Sequence, residues 1–358
     1  MSRTTWTRLL WLWLAVACGD SLAPPSSVTD LRVVGARVEL EADPDRANPS
    51  PGDLLQVTQL VIDRGAPPSD APEVPALTPP LLQWTLVACV PVPTTIGPPI
   101  CLNPIAPCDG CVATPPEDPL AIPRTSFTTP SQEELDAAGA STVLVQGVIC
   151  GNGVPSEDAI LRFLAGETDD LVPCEGPPTI PDVPIEGRFV TVQIPIETDP
   201  SDPNLNPDLS NVLLNGASWP PPYDQGVPRD APRTGCASDL QDLTPEQRAA
   251  HPRAGEPGSS IELYVTPDSL QTYTIDDVEQ TEQIQVSWLA DGGGFETSFS
   301  FIVSPATSVL TQWAPPSGMD EEGLLARLTF VIRDGRGGTD WVERGLCILP
   351  GAPSASPP

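Results

Sequence analysis

Apolar and polar residues alternate with a period of two in segment after segment of this chain. Leu82, Trp84, Leu86 and Ala88 share one face, as do Val143, Val145 and Ile149, and then Val190, Val192, Ile194 and Ile196. Farther along come Ile284, Val286 and Trp288, then Phe295, Phe299, Phe301 and Val303, then Leu328, Phe330 and Ile332. Successive side chains of an extended chain point to opposite faces, so each set predicts a half-buried antiparallel strand with the apolar face turned inward. Another strand is expected from Leu54 to Asp63. The fold class this predicts is all-β, with the strands stacked as antiparallel β-sandwiches.

Helical signals are few and short. Ser131-Gln-Glu-Glu134 has capping-box spacing and opens a stretch reaching about Ala138, and Thr244-Pro-Glu-Gln247 has the same spacing with Pro245 at the first helical position. A third candidate runs from Glu157 to Ala165, with Ile160, Leu161 and Leu164 at helical intervals. Composition reinforces the picture, because 48 of the 358 residues are proline, a density that forbids long helices and cuts strands short.

The strand patterns fall into two groups, separated by Glu197-Thr-Asp-Pro-Ser-Asp-Pro-Asn-Leu-Asn-Pro-Asp208. The expected organisation is a sandwich over 29–197 with disulfide-rich loops, a linker over 198–210, a second sandwich over 211–350 and a disordered tail over 351–358. Each half carries one tryptophan in a central strand, Trp84 and Trp288.

At the start of the chain, Arg3 and Arg8 precede the nine-residue apolar run 9–17. As a helix it would span about 14 Å, half of a bilayer core of about 30 Å, so it is expected to be the core of a signal peptide over 1–17 and not a membrane span. The run ends in Ala15-Val16-Ala17-Cys18-Gly19. That ending resembles a bacterial lipobox, which implies acylation of Cys18, with residues 18–28 as the tether between lipid and fold. Gly19, rather than Asp, follows the cysteine, and by the enteric sorting rule this implies the outer membrane, facing the periplasm or the exterior.

Cysteine parity agrees with that expectation. The chain has nine cysteines, and removing Cys18 leaves Cys89, Cys101, Cys108, Cys111, Cys150, Cys174, Cys236 and Cys347, an even set that reads as disulfides in an exported protein. Cys236 and Cys347 are the only two beyond residue 175 and are expected to pair. Cys89–Cys101 and Cys150–Cys174 are expected local bridges. Cys108-Asp-Gly-Cys111 has redox or zinc spacing but lacks both the second pair a zinc ribbon needs and a thioredoxin setting, so it reads as part of a disulfide-rich loop.

Together the lipobox, Pro51-Gly52-Asp53 opening a strand, and the Trp84 strand closing in Cys89 resemble bacterial immunoglobulin-like (Ig-like) domains. With Val265-Thr-Pro-Asp-Ser269, Val286-Ser-Trp288 and Val331-Ile-Arg-Asp-Gly-Arg-Gly-Gly338, most of residues 18–350 is similar to two-domain lipoproteins of myxobacteria and related bacteria. The resemblance implies a location rather than an activity. No cysteine lies in the second strand, so the antibody-type inter-sheet disulfide is not expected. The Asp-Gly-x-Gly-Gly turn is similar to turns that end PKD- and cadherin-like modules, and it is expected to be a hairpin connection.

Charge excludes several classes. The chain has 17 arginines, no lysine, 48 acidic residues and one histidine, for a net charge of −31. Lysine-dependent nucleophiles and phosphate loops, multi-histidine metal sites and nucleic-acid binding are all excluded on that inventory. His251, the sole histidine, is expected in a surface loop. Asp199, Asp202, Asn204 and Asp208 gather oxygen ligands in the linker and form a candidate calcium site, with Asp334 and Asp340 as a weaker one. The functional expectation is a non-catalytic binding, adhesion or structural module of the cell envelope. It would be held to the membrane by its lipid and face an unidentified protein or glycan partner. The alternatives are an envelope polysaccharide hydrolase acting through paired carboxylates, or a calcium-stiffened spacer.

Overall fold

The computed structural model describes residues 25–62, 82–92, 99–112, 121–167, 170–178, 184–197, 202–275, 278–317 and 323–351. Cys18, Asp199, the signal segment and residues 352–358 lie outside the described residues. In chain order the first half comprises β1 (Arg32–Leu40), β2 (Leu54–Ile62), β3 (Gln83–Val92), β4 (Ile100–Pro104), β5 (Cys108–Asp109), β6 (Arg124–Thr128), α1 (Gln132–Ala138), β7 (Thr142–Cys150), β8 (Val154–Pro155), α2 (Glu157–Leu164), β9 (Cys174–Glu175) and β10 (Gly187–Pro195). The second half continues with β11 (Leu209–Leu214), β12 (Ala217–Ser218), α3 (Pro245–Ala249), β13 (Ser259–Val265), β14 (Thr272–Ile275), β15 (Val278–Thr281), β16 (Gln283–Ala290), β17 (Gly294–Phe295), β18 (Phe299–Val303), β19 (Ser308–Ala314), β20 (Leu324–Arg333) and β21 (Thr339–Ile348).

The fold is all-β. In the first half, sheet β1-β2-β6-β5 faces sheet β10-β7-β3-β4; in the second, sheet β12-β11-β13-β19-β17 faces sheet β18-β16-β20-β21. Apart from two isolated parallel bridges, Ser27 with Ala290 and Arg253 with Leu349, the pairings among the described residues are antiparallel. Alternation explains the first core, where Leu82, Trp84, Leu86 and Ala88 of the β3 segment meet Val57, Phe127, Val143, Val145 and Ile194. It explains the second as well, where Ile284, Val286 and Trp288 of β16 pack with Leu328, Phe330 and Ile332 of β20. Trp288 meets Phe330 edge-on at 5.6 Å between ring centroids.

One alternation runs in the opposite phase. Phe295 is buried on β17, but Phe299, Phe301 and Val303 of β18 point outward and are 56%, 47% and 51% exposed. The reason is register. β18 pairs with β16 so that Ser300 and Ile302 lie opposite Val286 and Ile284, the core face of β16. The Trp288 indole reaches over that row and donates its Nε1–H to Ser300 Oγ at 3.0 Å.

The three helices form where their caps predict. Ser131 and Glu134 make a reciprocal capping box on α1, as Thr244 and Gln247 do on α3 with Pro245 at the first position, and Ser156 caps α2. Disulfides join Cys89–Cys101, Cys108–Cys111, Cys150–Cys174 and Cys236–Cys347, so all eight remaining cysteines are paired. Disulfides form and persist outside the reducing cytoplasm, which places the chain in an oxidising compartment. Among the described residues no helix is long and apolar enough to cross a membrane.

A third apolar cluster joins the halves: Val28, Leu60 and Ile62 from the first pack against Leu289 and Val331 from the second, flanked by Val34 and Trp341. The N-terminal segment takes part as a strap. Val28 N–H donates to Ala290 O and Ala290 N–H donates to Ser26 O, so residues 26–28 run along the edge of β16 before the chain enters β1.

Candidate functional site

Beside that apolar contact lies the densest group of buried charges among the described residues, built around the turn from Arg333 to Asp340 that joins β20 to β21. Gly337, at φ +125°, lets the backbone curl so that three successive amides face one carboxylate. Asp334 Oδ1 accepts from the N–H groups of Arg336, Gly337 and Gly338 at 2.7, 3.0 and 2.9 Å. A Cβ on residue 338 would sit 2.3 Å from Asp334 Oδ2 and 2.9 Å from Leu205 O, so the turn needs glycine there. The hairpin reading of this segment therefore describes it correctly, but the turn also has a second role.

The linker packs into it. Asn204 Nδ2 donates to Asp334 Oδ2 at 3.0 Å. Asn206 bridges the two halves directly, donating from Nδ2 to Val38 O at 2.7 Å and accepting at Oδ1 from Thr339 N–H at 3.1 Å. From the first half, Arg37 pairs with Asp340 at 2.6 Å and Asn48 Nδ2 donates to Arg336 O at 3.4 Å. From the second, Arg333 donates to Val34 O and, at 3.0 Å, to Ser287 Oγ. Arg336 lies 4.3 Å above the Tyr273 ring and donates from Nε to Glu282 Oε1 at 2.7 Å.

Burial sets the electrostatics. Glu282 is pushed up to about 7, because desolvation of its carboxylate outweighs the attraction of Arg336. Asp334, Asp340 and Glu197 are also raised, in each case chiefly by burial and against the pull of hydrogen bonds and nearby arginines. Each of the four carboxylates is engaged by an arginine, an asparagine or a backbone amide, and Arg37, Asn48, Asn206 and Arg333 join one sandwich to the other.

The residues singled out in the sequence fall as follows. Of the candidate calcium set, Asn204 is buried against Asp334, whereas Asp202 and Asp208 are exposed. Among the described residues no group of three or more His, Cys, Asp or Glu side chains is placed to hold a metal. Cys108 and Cys111 are bonded to each other, and the Gly110 carbonyl between them accepts from Trp84 Nε1 at 2.8 Å, fixing this loop to the first core.

His251 corrects its surface assignment: it is 3% exposed. Its Nδ1 accepts from Cys347 N–H at 3.2 Å and its Nε2 lies 2.9 Å from Pro221 O, which makes Nε2 the protonated nitrogen of a neutral ring. Burial lowers its pKa. Its place in Ala250-His-Pro-Arg253, just beyond α3, is in a loop, but the loop folds over β21 and buries the ring.

A cleft of about 640 Å³ opens beside α1, between Val90, Ile105 and Thr129. Its one carboxylate, Glu134, is engaged in capping α1. Sequence reasoning missed Arg37, Asn48, Glu282 and Arg336. Each makes its defining contact with a residue at least 54 positions away, and no local pattern carries such information. The chain matches no protein-family model, and no curated protein is significantly similar to it.

Proposed function

We propose that this chain is a lipid-anchored protein of the bacterial cell envelope whose two Ig-like sandwiches act as a non-catalytic binding, adhesion or structural module. Strand order supports the Ig-like reading. If β1, β2, β3, β4, β6, β7 and β10 are taken as A, B, C, C′, E, F and G, the first half has A-B-E opposite G-F-C-C′. With β11, β13, β16, β18, β19, β20 and β21 in the same roles, the second half has the same order. Each C strand carries its buried tryptophan, Trp84 or Trp288.

The observation that carries the functional reading is the junction itself. Arg37–Asp340, Asn206, Asn48 and Arg333 join one sandwich to the other around a cluster of buried carboxylates, as suits a two-part module that displays loops and faces to partners. The four disulfides support an extracytoplasmic position.

The test is fractionation of cells producing the full chain, with mass spectrometry of the mature N-terminus. Expected is a chain that begins at an acylated Cys18 and is extracted from membranes only by detergent, while Cys18→Ser moves to the soluble fraction. An unmodified start, with equal partitioning of the two, would remove the anchor from this reading.

A further inference from the structure

The outward row of β18 is the feature that neither the core nor the junction uses. Phe299, Phe301 and Val303 alternate along the strand with about half of each side chain exposed, and the two rings meet edge-on at 5.9 Å. Their outward cross-strand neighbours on β16 are Ser287, Gln285 and Gln283. None of these six side chains is charged, on a chain of net charge −31, and Arg333, opposite Gln285 on the next strand, turns to Ser287 Oγ and Val34 O. β18 is also the edge of its sheet. The face is continuous with the contact between the halves: Val331, buried beneath the first half, pairs with Ser287, and Ser287 pairs with Phe299.

The N-terminal segment leaves the fold at the same place. Trp288 N–H donates to Ser298 O, just ahead of Phe299, and two residues farther along the same edge Ala290 N–H donates to Ser26 O. Two residues of strand are about 7 Å. The chain thus enters the described fold at Pro25, beside the start of β18. Only six residues, 19–24, separate it from Cys18, a reach of at most about 25 Å.

We infer that the Phe299–Phe301–Val303 face rests on the lipid surface to which the chain is tethered, with the two phenylalanines in the headgroup region of zwitterionic lipid. The inference rests on the proposed acylation of Cys18. A tether this short keeps its exit point near the bilayer and so brings the adjoining apolar face to it. Contact of that face adds apolar burial to the hold of the acyl chains, and none of its six named residues carries a charge that would have to be desolvated among the headgroups. It also sets the orientation of the second half, because the opposite sheet, with Leu310 exposed on β19, must then face away.

The test uses the full mature chain in phosphatidylcholine vesicles, with tryptophan placed by Phe301→Trp or, on the opposite sheet, Leu310→Trp. The probe is quenching by brominated phosphatidylcholine, and native tryptophans such as Trp288 and Trp313 are buried. Expected is a loss of emission for F301W beyond that of the unsubstituted chain, and none for L310W. Equal responses of the two, or no added quenching of F301W, would overturn the inference. In the latter case, self-association in solution that is abolished by Phe299→Ser with Phe301→Ser would assign the face to a second copy. Mass spectrometry separates this failure from failure of the anchor: should Cys18 prove unacylated, its thiol is coupled to a maleimide phospholipid and the same quenching decides the docking.

Discussion

His251 shows how much one neutral ring can hold in place. It accepts from the backbone of Cys347, itself bonded to Cys236, and donates to the Pro221 carbonyl, so it ties the loop after α3 to β21 and to the segment after β12. His251→Phe would fill similar space and leave the Cys347 N–H and the Pro221 carbonyl unpartnered. The expected cost is on the order of 2–3 kcal/mol at pH 7.5, measured by urea denaturation. The pH dependence has a definite sign. Burial lowers the folded-state pKa of His251, so the folded chain binds fewer protons here than the unfolded one. The contribution of the histidine is complete above an unfolded value of about 6.5 and is lost as pH falls below it. The gap between wild type and H251F should therefore narrow at pH 5.5.

Among the strands, β16 decides the most. Its inward row of Ile284, Val286 and Trp288 is fully buried, and Trp288 touches Phe295 and Phe330 while donating to Ser300. Trp288→Ala should destabilise the chain by about 3–5 kcal/mol, the range for a deleted core aromatic, seen as a lower denaturation midpoint. Ser300→Ala should cost only about 1 kcal/mol, since it removes one hydrogen-bond partner and little volume. The same strand shows how far the sequence could be read. Alternation in 284–288 and 328–332 located both central strands and their buried faces, because burial on one side leaves a two-residue period in composition. The capping residues Ser131 and Thr244 located helix starts for an equally local reason. On β18 the period was legible and the face was not: Phe-Ser-Phe-Ile-Val has apolar side chains on both sides, and only the pairing with β16 decides that Ser300 and Ile302 turn inward. The junction was less legible still. The Asn-rich linker and the Asp-Gly-Arg-Gly-Gly turn each stand out alone, but that Asn204 meets Asp334 across 130 residues follows from the packing of two sandwiches.

At the scale of the whole molecule, the junction should make the stability of the joined halves depend on pH in the sense opposite to His251. Glu282, Asp334, Asp340 and Glu197 come from three segments, and burial raises all four above their ordinary values. For a carboxylate this means that the folded chain holds its proton more tightly than the unfolded chain does. Stability from this source is greatest in acid and falls as pH rises from the unfolded value of about 4.5 through the folded value, which for Glu282 is about 7. One such group contributes a slope of at most about 1.4 kcal/mol per pH unit inside that window and none above it. Glu282→Gln removes the titration and keeps an acceptor for Arg336. The expected result, by calorimetry of the full chain between pH 4.5 and 8, is a flatter stability profile for E282Q than for wild type below pH 7, with parallel profiles above it. If the two profiles stay parallel across the whole range, Glu282 is not the group that carries the dependence. If wild type instead gains stability over E282Q as pH rises from 4.5, the pull of Arg336 exceeds the cost of burial, and Glu282 and Arg336 form a full ion pair at neutral pH.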